Sequence, residues 1–154
     1  MGIFTERNAV VTVLAADADR FNADPATDIV TTKDFRHVTF FVIEGAGGTG
    51  TVKIEVEECS ANDGTGNVAI AFNYRVGTSL GVFGAITASA ATGYTTVAGA
   101  NKIIAVEVPA ESLADAKPWV RLALTEVADS PVDACVMAVL SNRRYGQAIV
   151  PGVV

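Results

Sequence analysis

Residues 117–145 read KPWVRLALTEVADSPVDACVMAVLSNRRY, and the reading of this stretch decides the fold. From Trp119 to Val127 the side chains alternate. Trp119, Arg121, Ala123 and Thr125 fall on one face, and Val120, Leu122, Leu124 and Glu126 on the other. That period belongs to a half-buried strand. Ala128-Asp129-Ser130-Pro131 interrupts the run as a turn, and Val132 to Leu140 resumes it as a nearly continuous apolar strand ending at Ser141-Asn142-Arg143-Arg144. The expectation is a long β-hairpin at the centre of a sheet. It carries no group suited to catalysis.

Working outward, the neighbouring segments repeat the pattern. Arg36–Glu44 (RHVTFFVIE) places Val38, Phe40 and Val42 on one face and His37 and Thr39 on the other. Thr51–Glu58 (TVKIEVEE) sets Val52, Ile54 and Val56 against Thr51, Lys53, Glu55 and Glu57, so one of its faces is wet. Val68–Val76 and Asn101–Val108 are further strands, Ala9–Leu14 a first one and Ile29–Thr32 a short edge strand. Gly77–Gly99 is rich in Gly, Ala, Ser and Thr and holds one or two short strands inside a weakly specified connection. Pro109–Ala116 fits a single helical turn with proline at its start. Eight or nine strands joined by turn residues, with 14 glycines and no long amphipathic helix, predict an all-β fold, an antiparallel β-sandwich or jelly roll. A length of 154 residues suits one domain. The division is an N-terminal arm over 1–8, the sandwich over 9–146 and an apolar C-terminal tail over 147–154.

Composition narrows the partners. Half of the residues are apolar and 18% charged, enough apolar material for a core. A net charge of −6 argues against nucleic acid, because that affinity comes mainly from phosphate neutralisation by Lys and Arg. No apolar run has the length of a membrane span, so no membrane partner is expected. The first residues show no basic-then-apolar export signal, and Glu6 stands where a myristoylation motif wants Ser or Thr. Synthesis in the cytoplasm follows as an expectation.

The chemistry-bearing motifs dissolve on inspection. Gly45-Ala46-Gly47-Gly48-Thr49-Gly50 matches G-x-G-x-x-G, but a strand pattern follows it where a dinucleotide site needs a helix. The glycines then read as a hairpin loop. Asp17–Asp28 (DADRFNADPATD) fails the calcium-loop pattern, with Phe21 and Asn22 where a ligand and a glycine belong. Cys59 and Cys135 have no metal-site spacing and read as small buried hydrophobes, a disulfide being the lesser alternative. His37 is the single histidine, read as a surface or hydrogen-bonded side chain, and Glu55 and Glu57 lie on a solvated face beside Lys53. No catalytic, metal or cofactor residue is assigned and no enzyme is expected. Trp119, Tyr74, Tyr94 and Tyr145 raise a carbohydrate platform as an alternative, with core packing the simpler account. Arg143-Arg144-Tyr145 is the local basic cluster of an acidic chain and a candidate protein contact.

Taken together, TTKDFRHVTFFVIEGAGGTGTVKIEVEEC, VAIAFNYRV and KPWVRLALTEVADSPVDACVMAVLSNRRYG resemble small virion proteins of tailed bacteriophages, of the kind found near the major capsid protein. The similarity runs over roughly residues 27 to 146. It implies a structural role, a head decoration (cement) protein on the capsid exterior, often a trimer at three-fold positions, partnered by the major capsid protein and by itself. A head–tail connector or tail component is the alternative within that setting. Decoration proteins have several unrelated β folds, so the resemblance leaves topology open. In such a role Ile3 and Phe4 of the arm, Arg143, Arg144 and Tyr145, and Ile149, Val150, Val153 and Val154 of the tail are the expected contacts.

Overall fold

The computed structural model describes residues 3–79 and 82–145. A one-turn helix α1 (Phe4–Arg7) leads into β1 (Ala9–Asp17), β2 (Val30–Thr31), β3 (Phe35–Glu44) and β4 (Thr51–Cys59). Then come β5 (Val68–Ile70), β6 (Phe72–Ser79), β7 (Val82–Phe83), β8 (Thr87–Ser89) and β9 (Tyr94–Thr95). After β10 (Lys102–Pro109) a 3-10 turn at Ala110–Ser112 precedes β11 (Trp119–Ala128) and β12 (Ala134–Arg143). Proline at 109 caps that turn, as its position suggests.

The strands form two antiparallel sheets. One runs β1-β12-β3-β10-β6-β7 with β8 also on β6; the other runs β2-β11-β4-β5 with β9 also on β4. Setting β6 to β9 aside as an insertion leaves eight strands, β1 to β5 and β10 to β12. Their pairings include β1·β12, β2·β11, β3·β10 and β4·β5, so first pairs with last and the order nests inward. That is one long folded ribbon rolled into two sheets, the connectivity of a jelly roll. Of the two forms expected, the jelly-roll sandwich is the one adopted.

The Lys117–Tyr145 hairpin is a correction. Both of its strands form, but β11 lies in the five-stranded sheet and β12 in the seven-stranded one. Val120, Leu122 and Leu124 therefore face Val136, Ala138 and Leu140 across the core instead of lying beside them. Alternation is the same in a hairpin and in an arch between sheets, so the periodicity left this choice open. The corner decides it. Gly45 N donates to Asp133 O at 2.7 Å, Asp133 N donates to Ala46 O at 3.0 Å, and the Thr49 and Ser130 hydroxyls meet at 2.8 Å. The glycine loop at 45–50 likewise crosses between sheets, from β3 to β4, and is not a hairpin either. Gly47, at φ +115°, and Gly50 allow the two crossings to touch, since a Cβ at either would run into the backbone at 130–132.

The expected strand Val68–Val76 is two strands, because the chain changes sheets at Ala71 between β5 and β6. With β7, β8 and β9 from the weakly specified stretch, twelve strands stand among the described residues instead of eight or nine. One core fills the space between the sheets. Phe40, Ile54, Ile104, Leu122 and Leu124 are its largest fully buried members, each stabilising by about 1.5–3 kcal/mol on burial.

Candidate contact surfaces

The outer faces of the two sheets differ in chemistry. On the five-stranded sheet, Lys53 Nζ meets Glu55 Oε2 at 3.0 Å and Arg121 Nε meets Glu57 Oε2 at 2.7 Å, with Asn67 Nδ2 donating to Glu57 Oε1 at 2.8 Å. This is the wet face that the alternation of β4 predicts. On the seven-stranded sheet the core takes Val136, Ala138 and Leu140 of β12, Val38, Phe40 and Val42 of β3, and Ile104, Val106 and Val108 of β10. Most of the outward positions beside them on β12 and at the far end of β3 and β10 are also apolar: Cys135, Met137 and Val139, Phe41 and Ile43, and Ile103 and Ala105, while Thr39 and Glu107 are the polar exceptions between the core residues of β3 and β10. Strands with continuous apolar runs belong to sheets covered on both faces. At one margin of this face His37 Nε2 lies 2.6 Å from Glu107 Oε2, which also accepts from Thr39 Oγ1 at 2.8 Å. Glu107 ties the single histidine into the sheet.

A groove of about 460 Å³ opens on the same side, at the end where β1 and β3 finish and β12 begins. Ala16, Ala18, Ile43, Ala134 and Cys135 line it, and Asp17 and Asp133 stand at it. The sequence reading missed it, because the register that brings these termini together joins segments far apart in the chain.

The structure gathers most of the predicted contact residues at the opposite end. The arm is α1, closed by Glu6 N donating to Ile3 O, with the Glu6 carboxylate accepting from Ile3 N at 2.9 Å. It rests against β1 and β12, leaving Ile3 65% and Phe4 60% exposed. At this end β12 finishes, with Arg143 opposite Phe35. The Arg143-Arg144-Tyr145 cluster divides by role. Arg143 lies over the Phe35 ring at 5.7 Å. Arg144 Nε donates to Thr32 O and Phe35 O, and its backbone N to Asp34 O, so it clamps the loop before β3. Tyr145 is 70% exposed. Ile149, Val150, Val153 and Val154 lie outside the described residues.

Two buried carboxyls also escaped the sequence reading. Glu44 and Glu58 share the inward parity of their strands, Glu44 following Val38, Phe40 and Val42, and Glu58 following Val52, Ile54 and Val56. Parity was the signal that could have found them. Glu58 accepts from Ala114 N at 2.8 Å and lies 3.4 Å from Lys117 Nζ. Burial pushes the Glu44 carboxyl from an ordinary 4.5 up to about 6, opposed by Lys102 and by a hydrogen bond from Thr96. Burial also raises the Tyr94 hydroxyl, with Tyr74 and Glu44 adding to the effect.

Of the aromatic residues raised for a sugar platform, Tyr145 is exposed at the end of the sandwich opposite the groove, and the other three have neighbours of their own. Tyr74 stacks on Tyr94 at 4.0 Å against the core, and Lys33 lies 5.3 Å over the Trp119 ring. Cys59 and Cys135 are both free thiols, the first buried and the second on the outer apolar face. In the acidic loop, Asp24 Oδ1 accepts from Glu126 N at 2.7 Å, and Asp17 lies 3.9 Å from Arg20. Among the described residues no group of three His, Cys, Asp or Glu converges as a metal site. No helix among them is long and apolar enough to cross a membrane.

With the geometry in place, comparison with known proteins gives one informative result. No family model matches the chain, and no curated protein matches it in sequence. The chain shares its fold with the SPBc2 prophage-derived protein YomS. The superposition covers 91% of this chain and 97% of YomS with a TM-score of 0.51, at 11% sequence identity. The likeness to YomS is thus one of architecture, extending over nearly the whole of both chains.

Proposed function

We propose that this protein is a structural component of a tailed-phage virion, a decoration protein that sits as a trimer on the outside of the capsid and reinforces it. The observation that carries the reading is the fold shared with a prophage-derived protein across nearly all of both chains. The resemblance of three segments to small phage virion proteins supports the same setting. Jelly rolls recur in viral capsid proteins, which favours a virion role by analogy of fold. The surface chemistry suits binding: the outer face of the seven-stranded sheet is apolar along β12 and polar at the His37–Glu107 margin, whereas the other sheet carries ion pairs, so the domain has a strip to bury and a side to wet. Its partners in this reading are the major capsid protein and other copies of itself, it acts without a cofactor, and its work is attachment, not catalysis.

The test is to remove residues 1–8, which carry the exposed Ile3 and Phe4, and to add the purified protein to capsids lacking it. Reduced occupancy on sedimented particles is the expected result. Undiminished occupancy removes the arm from the binding account.

A further inference from the structure

Among the described residues, the arm and the groove present exposed apolar surface of matching chemistry at opposite ends of one strand; of the two groove carboxylates, Asp17 lies 3.9 Å from Arg20. Phe4 and Ile3 project from α1 with 60% and 65% of their surface exposed, although both are apolar. Arg7, on the same single turn, is exposed, while Glu6 is occupied by the Ile3 amide. The arm therefore presents an aromatic and an aliphatic knob beside a cation. The groove presents the complement: an apolar floor from Ala16, Ala18, Ile43, Ala134 and Cys135, with the carboxylates of Asp17 and Asp133 beside it. A bulky apolar anchor in a pocket, flanked by an opposite charge, is the arrangement that concentrates binding energy at protein interfaces.

The arm does not reach the groove of its own chain. The arm stands at the start of β1, against β12, and the groove lies where β1 ends at Asp17. The nine residues of β1 hold them apart by about 26 Å, at about 3.3 Å per residue. We infer that α1 of one copy docks in the groove of a second copy, Ile3 and Phe4 entering between the ends of β1, β3 and β12 while Arg7 meets Asp17 and Asp133. Arm and groove are different patches, so two copies can exchange arms about a two-fold axis, or three or more can close head-to-tail into a ring. The trimer of the reading above takes the ring form. The contact covers Ile43 and Cys135, the outward apolar side chains at the groove end of β3 and β12. It rests on the self-association in the reading above and names the surface responsible.

Cys135 makes the test direct. The mass of the full chain in solution, measured by light scattering, is expected to be a multiple of 15.9 kDa and to fall to that single value in Phe4→Glu, whose exposed position spares the fold. Arg7→Asp weakens the oligomer, and Asp133→Arg in the same chain restores it. Phe4→Cys, oxidised with copper phenanthroline, cross-links to the native Cys135 of a neighbour and gives dimers and trimers on a non-reducing gel. Adding Cys135→Ser abolishes the trimers. A wild-type mass of one chain, an unchanged mass in Phe4→Glu, or cross-linked trimers that survive Cys135→Ser would each overturn the contact. None of these measurements involves a capsid, so they succeed or fail separately from capsid binding.

Discussion

Glu44 shows how one side chain reports on its surroundings. It ends the inward row of β3 and is 4% exposed, closing one end of the sandwich as Glu58 closes the other. Glu58 is held by Ala114 N and Lys117, whereas Lys102, the cation nearest in effect to Glu44, gives its Nζ to Val97 O. The Glu44 carboxyl consequently titrates near 6. A raised folded-state value means stability that is fully present below 4.5 and lost as pH rises through 6. The loss amounts to about 1–2 kcal/mol. Urea unfolding at pH 4.5 and pH 7.5 should show this fall in the native chain and not in Glu44→Gln, which is the more stable of the two at the higher pH. Equal pH dependence in both would contradict the assignment. Parity puts this glutamate inside. The sequence reading ran the strand to Glu44 but counted its inward row only to Val42, because nothing local shows that the opposite sheet covers a terminal carboxyl.

At the scale of elements, the corner where 45–50 meets 129–133 converts a ribbon into two sheets. Gly50→Ala drives a methyl into Ser130 O and Val132 Cγ2. The corner must then open, at a cost of about 1–3 kcal/mol, typical of overpacked sites. Chemical denaturation measures it, and Gly48→Ala, where a Cβ meets nothing, is the control expected to stay near the native value. Equal losses in both would deny the corner its role. This element also marks where sequence reading reached its limit. The runs at 119–127 and 132–140 were legible as strands, because a period of two survives in any sheet. Which sheet each strand joined was not legible. That depends on hydrogen bonds between segments some 80 residues apart, such as Thr49 to Ser130, which leave no local pattern. The same limit hid the groove.

For the whole molecule, the difference between its two sheets matters most. The charged outer face of β4 and β11 is written in their alternation, and the largely apolar outer face of β12, with Phe41, Ile43 and Ile103 beside it, in its continuous run. The two outer faces thus differ in polarity, and the exposed Ile3, Phe4 and Tyr145 stand at one end. The central claim is attachment to the exterior of a phage capsid. Electron cryo-microscopy of tailed-phage capsids carrying the bound chain tests it most directly. The account predicts density fitting this jelly roll on the outside of the shell at three-fold positions, with the charged face of the five-stranded sheet toward solvent. Density on the tail axis alone, or shells without such density, would contradict it.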